Sequence, residues 1–298
     1  MPRALRPAPR ILRRAAVVGL LLSLLVPAAA LAGNLTPEHG GSPNADRINT
    51  LYVIVLVMAI LIFLLVEGVL IYSIFKFRRR RRDEEPAQIR GNTTLEVGWT
   101  VGAALILVVL AVFTFIELPG IRNPPNSGPD GIRLANGTLL ATGAGRRLPP
   151  NGKSLNICVN GQQYIWRYTY AADCGNAPLN SPFSYTEMVV PVETTVTLDI
   201  NAQDVDHSWW IPKLGGKFDA IPGYTNHTWF KIPAKWAGHT FHGQCAELCG
   251  RNHANMIAQV RAVTPAEYER WLAQQKADVA AADKAAAQAR PQVQKELP

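Results

Sequence analysis

Thr195-Val196-Thr197-Leu198-Asp199-Ile200 decides the fold of the C-terminal half. Its apolar residues fall on alternate positions, the period of a strand with one face in a core and the other turned outward. The runs at 155–159, 163–170, 187–190, 226–232 and 257–263 read the same way, separated by turns such as Ile221-Pro222-Gly223. Short strands at this spacing predict a sandwich or barrel, and about 110 residues suffice for a single core. Thr264-Pro265-Ala266-Glu267 opens a helix expected to end at Trp271-Leu272. The β domain with this helix is placed at 154–275, behind a Gly/Pro/Asn/Arg-rich linker at 119–153. The Ala-rich, charged stretch 276–298 shows no apolar face and is expected to be a mobile tail.

Upstream, apolar runs at 51–75 and 98–118 each exceed the roughly 20 residues that cross a bilayer as a helix. Lys76 and the five arginines 78–82 lie between them, so the positive-inside rule puts the 76–97 loop in the cytoplasm. Segment 33–50 and the C-terminal domain then both face outside. The predicted class is a membrane-anchored all-β protein, a two-helix transmembrane hairpin followed by a β-sandwich. Residues 1–32 carry Arg3, Arg6, Arg10, Arg13 and Arg14, an apolar stretch at 15–26 and Ala30-Leu31-Ala32. These are the parts of a secretory signal peptide cleaved near Ala32; an uncleaved first anchor is the alternative. Acids inside a span are costly, so Glu67 is expected to face another helix or subunit. Glu96 lies near the cytoplasmic end of the second run, where solvation is easier.

The chain has 298 residues, 48% hydrophobic and 17% charged, which excludes disordered and collagen-like classes. Its formal charge of +8 is uneven: from Pro119 onward 17 Lys+Arg oppose 14 Asp+Glu, leaving +3. A nucleic-acid binder concentrates its bases on the folded domain; here they flank membrane segments, so nucleic acid is not an expected partner.

Four cysteines form two pairs. Cys158 and Cys174 bracket the 163–170 strand and read as a disulfide in an oxidising compartment, with two buried thiols as the alternative. Cys245 and Cys249 sit in Gly243-Gln244-Cys245-Ala246-Glu247-Leu248-Cys249-Gly250-Arg251-Asn252-His253-Ala254-Asn255-Met256. Two thiolates, an imidazole and a thioether form a soft ligand set that favours copper over hard cations. A mononuclear blue-copper site uses one Cys, whereas two thiolates four residues apart can bridge two coppers, each ended by one imidazole. The second imidazole fits His207, in Asp204-Val205-Asp206-His207-Ser208-Trp209-Trp210. His239 and His242 read as surface residues, and His39 and His227 show no ligand context. A Cys2His2 zinc site, which leaves Met256 unexplained, and a Cys245–Cys249 disulfide are the competing readings.

The loop pattern G-Q-C-x-E-L-C-G-x-x-H-x-x-M, with D-V-x-H-S-W at 204–209, resembles subunit II of the bacterial cytochrome c oxidases, within the haem–copper oxidase superfamily. The resemblance spans roughly 45–275 and implies a cupredoxin-like sandwich with a dinuclear CuA centre. It implies Cys245 and Cys249 as bridging thiolates, His207 and His253 as terminal imidazoles, and Met256 and the Glu247 carbonyl as weak ligands. The Glu247 side chain would face a magnesium site shared with subunit I, and Asp219-Ala220-Ile221-Pro222-Gly223 would lie on that interface. Leu95-Glu96-Val97-Gly98-Trp99-Thr100 resembles the motif opening the second span, which places Glu96 at the entrance of a proton pathway. The family's Trp-Tyr-Trp, whose first Trp receives electrons from cytochrome c, is Tyr164-Ile165-Trp166 here, so Tyr164 substitutes or the donor docks differently; core packing suits Trp166 better than Tyr164.

The implied function is that of an oxidase subunit, taking electrons from cytochrome c and passing them to haem in subunit I. Asp199, Asp204, Asp206 and Asp219 are expected to steer a basic donor, and no C-x-x-C-H attaches a haem to this chain. A quinol-oxidase subunit, which lacks copper ligands, is disfavoured by the complete set. A CuA subunit of a nitric-oxide reductase, or a membrane-anchored copper carrier, are the alternatives; Glu96 and the hairpin disfavour a nitrous-oxide reductase module.

Overall fold

The computed structural model describes residues 35–78, 88–124, 132–133, 139–140, 154–171 and 173–296. The proposed signal peptide at 1–32, arginines 79–82 and most of the 119–153 linker lie outside the described residues.

Helix α1 spans Pro43–Lys76 and α2 spans Thr93–Arg122. Pro43 occupies the first turn of α1, where its missing N–H costs nothing. Asn92 caps α2 by accepting from the Leu95 amide at 3.2 Å, while Glu96 Oε1 accepts from the Asn92 amide at 3.3 Å. Glu96 therefore closes a reciprocal cap and sits favourably at the positive end of the helix. At 34 and 30 residues the helices measure about 50 Å and 45 Å, enough to cross a bilayer core with turns to spare. Their large apolar side chains, including Leu65, Phe75 and Phe115, stand exposed. A helix that is apolar all round and unburied belongs in lipid. Near the outer ends of the pair, Arg47 Nη1 meets Glu117 Oε2 at 2.8 Å.

The strands of the β domain form two five-stranded sheets. In the first, the order is Asn226–Lys231 (β10), Thr195–Ala202 (β7), Ser154–Gln162 (β3), Ile165–Thr169 (β4) and Phe183–Tyr185 (β5). The second runs Glu187–Pro191 (β6), Ile257–Val263 (β12), Thr240–Cys245 (β11), His207–Trp210 (β8) and Phe218–Ala220 (β9). A separate pair, Ile132–Arg133 (β1) with Leu139–Leu140 (β2), precedes them. Two neighbours are parallel, β3 with β7 and β6 with β12, and the other pairings in the two sheets are antiparallel.

Val196, Leu198 and Ile200 of β7 are buried with Ile157, Val159, Trp166, Tyr168, Val260 and Ala262, but Thr197 and Asp199 on the face expected to turn outward are buried as well. Trp209 stacks on Phe230 with centroids 6.4 Å apart and donates its Nε1–H to the Tyr168 hydroxyl at 3.2 Å. Such pairing is what lets an indole N–H sit in a core. Cys158 and Cys174 are joined by a disulfide.

The terminal helix is longer than expected. Helix α3 runs Pro265–Glu296, well past Trp271-Leu272. Thr264 and Glu267 form its capping box, with the Thr264 amide donating to Glu267 Oε2 at 2.8 Å. Tyr268 and Trp271 pack against Tyr170, and beyond them alanine's high helix propensity and the Gln274–Asp278 bond carry the helix without a buried face.

The hairpin and the sandwich belong to one compact unit, Glu38–Pro298. Asn44 Nδ2 donates to the Trp229 carbonyl at 2.7 Å, and Trp229 Nε1 donates to the Ile121 carbonyl at 3.0 Å. The Lys231 amide donates to Ser42 Oγ and Trp236 Nε1 to the Gly40 carbonyl.

Candidate metal centre

The β11 strand ends at Cys245, and the chain turns through Cys249 and a 3-10 turn at His253–Asn255 before Met256 leads into β12. The Cys245 amide donates to the Met256 carbonyl at 2.9 Å and the Ala246 amide to the Ser208 carbonyl at 2.8 Å. These bonds close the loop on itself and tie it to β8. Strand β8 begins at His207 and pairs with β11 through Cys245↔Trp209, which brings the distant imidazole alongside the loop.

Cys245 Sγ and Cys249 Sγ lie 4.0 Å apart. His207 Nδ1 is 3.8 Å from Cys245 Sγ, and His253 Nδ1 is 3.6 Å from Cys249 Sγ. Met256 Sδ stands 3.9 Å from Cys249 Sγ, and the Glu247 carbonyl accepts from Cys245 Sγ at 3.2 Å. His207, Cys245, Cys249 and Met256 are buried; His253 is half-buried and the Glu247 side chain is exposed. Among the described residues, His207, Cys245 and Cys249 are the group whose ligand atoms converge as a metal site requires.

An imidazole and a weaker donor lie near each sulfur, His207 and the Glu247 carbonyl by Cys245, His253 and Met256 by Cys249, which fits two ions held by the thiolate pair. Met256 points into the site, a position a Cys2His2 zinc site does not explain. Both cysteines are free thiols, so the disulfide reading does not describe this state. Burial first, then the adjacent Cys245 sulfur, pushes the Cys249 thiol up to about 11. Metal binding must therefore displace the Cys249 proton.

The surrounding shell was not legible as such in the sequence. His207 Nε2 lies 2.9 Å from Asp204 Oδ1, and Asp204 also accepts from the Gln163 and Val205 amides, each at 2.7 Å. Burial alone would raise the Asp204 carboxyl; these hydrogen bonds outweigh it and hold the group below its ordinary value. In the sequence Asp204 reads as one of the steering acids; its i, i+3 spacing from His207 is the one local signal that could have found this pairing. Gln163 Nε2 donates to the Cys249 carbonyl at 2.7 Å, a contact spanning 86 residues with no local signature. Gly161 lies under the site: a Cβ there would meet His207 Cδ2 at 3.0 Å and Trp166 Cζ3 at 3.1 Å.

Trp166 is fully buried and sits edge-on to His207, centroids 5.9 Å apart, whereas Tyr164 is half-buried in the β3–β4 turn. The acidic set expected at the surface is split. Asp199 is buried, its carboxylate held by His227 Nδ1 at 2.6 Å and Asn156 Nδ2 at 3.2 Å, while Asp206 and Asp219 are exposed. His239 and His242 are exposed, on or beside β11. Glu67 is half-buried and Glu96 exposed.

Fold and site together define a membrane-anchored, cupredoxin-like β-sandwich with a soft, sulfur-centred metal site outside the membrane. The family described as cytochrome c oxidase subunit II, periplasmic domain, matches residues 184–263, and its transmembrane-domain counterpart matches 30–116. The chain belongs to the cytochrome c oxidase subunit II family. It is 30% identical to cytochrome c oxidase subunit 2 of Synechocystis sp., over 86% of this chain and 82% of that one, and 33% identical to that of Thermostichus vulcanus, over 82% and 79%. It is 32% identical to the Alkalihalophilus pseudofirmus subunit over 83% of this chain, which spans 64% of that relative's length. The solved periplasmic domain of subunit II of Bradyrhizobium japonicum cytochrome oxidase is 34% identical, covering 43% of this chain and 96% of that one, with a TM-score of 0.36. Membership implies the family's CuA copper centre, and the converging donors fit it.

Proposed function

We propose that this chain is the electron-accepting subunit of a membrane cytochrome c oxidase. The observation that carries the reading is the convergence of two thiols, two imidazole Nδ1 atoms, a thioether sulfur and a carbonyl oxygen on one site. Cys245, Cys249, His207 and His253 would hold two copper ions, with Met256 and the Glu247 carbonyl as weaker donors. When bound, such a pair accepts and releases one electron with little change in its bonds. The protein's part is to hold the donors still: β8, β11 and β12 fix their spacing, Asp204 sets the His207 ring, and burial excludes water.

Cytochrome c is the proposed donor, received at Tyr164 with Trp166 behind it, and haem in subunit I the acceptor; the haems reside in that partner. Glu247, whose side chain is exposed, would complete a magnesium site shared with subunit I, and exposed Asp219 would lie on the same interface. Glu96, at the start of α2, is the proposed entrance of a proton pathway. A multi-pass topology with both outer ends outside the cell follows from the two spans and the basic loop between them. The named relatives do not favour a nitric-oxide reductase subunit or a copper carrier.

The test is metal content and EPR of the purified full chain in detergent. Two coppers per chain with the multiline hyperfine pattern of one electron shared by two nuclei are expected; a single ion per chain would overturn the reading.

A further inference from the structure

Gln163 and Tyr164 form the two-residue turn joining β3 to β4, and the turn leans over the metal loop. A Cβ on Gly250 would meet Tyr164 Oη at 2.6 Å and Gln163 Nε2 at 3.1 Å, so only a glycine there admits the approach. From this turn Gln163 makes two bonds in different directions. Its backbone N–H donates to Asp204 Oδ2, the carboxylate whose other oxygen holds His207 Nε2. Its side-chain amide donates to the carbonyl of Cys249.

We infer that Gln163 is a positioning residue for the metal pair, a clasp that ties the His207 end to the Cys249 end. The copper loop is secured to β8 and β12 near Cys245, through the Ala246 and Cys245 amides. Cys249 lies four residues further on, and its own carbonyl is held from outside the loop by Gln163. Without that bond the Cys249 backbone, next to a glycine at φ +128°, loses a tether, and the sulfur it carries is held less firmly. The backbone arm to Asp204 survives any side-chain change, so a substitution at Gln163 isolates the Cys249 arm. The two bonds also place the half-buried Tyr164 ring against the same loop, so the residue proposed to receive electrons and the ligand carrier share one turn.

The inference rests on the copper reading, and its test separates the two. Wild-type full-length chain, Gln163→Ala and the near-isosteric Gln163→Glu, which at neutral pH carries no donor at that position, are loaded with copper. Copper loss to an excess of chelator is followed with the near-infrared band and EPR spectrum, and apo-protein unfolding is measured alongside. Loss about tenfold faster or more in both variants, with a perturbed spectrum and unchanged apo unfolding, is the expected result. If Gln163→Ala does not fold, Gln163→Glu decides by the same readouts. Wild-type spectra and release rates in the folded variants would overturn the clasp, and so would faster loss that merely tracks a lowered apo stability. If wild type itself fails to take up two coppers, it is the copper reading that fails.

Discussion

His207 presents its two ring nitrogens to opposite tasks: Nε2 is bonded to Asp204 Oδ1 at 2.9 Å, and Nδ1 faces Cys245 Sγ at 3.8 Å. A neutral imidazole has one N–H, and the carboxylate keeps it on Nε2, leaving the Nδ1 lone pair for metal. Asp204→Ala should lower copper affinity about 10–100-fold while saturating stoichiometry stays the same. Competition with a chelator of known strength measures it, and unaltered affinity would show that the ring needs no such support.

The two aromatics of the β3–β4 hairpin should separate cleanly. Trp166 is completely buried, so Trp166→Ala should cost about 3–5 kcal/mol in denaturant unfolding. Tyr164 is only half-buried, and Tyr164→Ala should leave copper spectra nearly intact while slowing oxidation of reduced cytochrome c by the assembled oxidase. Full-rate oxidation in that variant would move the point of electron uptake elsewhere.

Gly161 is tightly covered by two aromatic rings. Both atoms a Cβ would press, His207 Cδ2 and Trp166 Cζ3, belong to rigid, buried rings rather than flexible side-chain ends. Gly161→Ala is therefore expected to displace the His207 ring and alter the copper EPR spectrum. An unchanged spectrum would mean that the neighbouring strands yield instead.

The disulfide predicts a stability effect without a metal effect. Cys158 and Cys174 are 16 residues apart, and closing a loop of that size stabilises by about 3 kcal/mol in the chain-entropy account. The double variant Cys158→Ser/Cys174→Ser should unfold at lower denaturant and bind the same amount of copper. Loss of copper at temperatures where the variant is folded would contradict the separation.

Copper uptake should weaken as pH falls. With the Cys249 thiol pushed up to about 11, chiefly by burial, the proton is present throughout the neutral range and leaves only when metal displaces it. Apparent affinity should drop about tenfold per pH unit for each proton displaced, measured by chelator competition between pH 6 and 8. A flat profile would mean that the Cys249 thiol is already ionised before metal binds.

Local patterns were legible and distant ones were not. The alternation in β7, the apolar helices and the ligand spacing within the copper loop all sit in short stretches of chain, and a short stretch can carry its own signal. His207 was reachable because its motif names it. Gln163 was not, since an amide at a turn has no pattern until the loop 86 residues away folds against it. Asp199 reads as surface charge in the sequence because the burial of an acid depends on a partner, and its partner, His227, lies on the neighbouring strand β10. The length of α3 has no amphipathic pattern to signal it, since alanine propensity alone carries the helix past Leu272.

Trp229 is held by both halves of the hairpin, its carbonyl by Asn44 ahead of α1's apolar run and its indole N–H by Ile121 at the far end of α2. A domain hung from one strand of chain can swivel about it, while one gripped at two points keeps a single heading toward the bilayer. The proposed electron transfer falls off steeply with distance, so a fixed heading would give every turnover the same gap to cross.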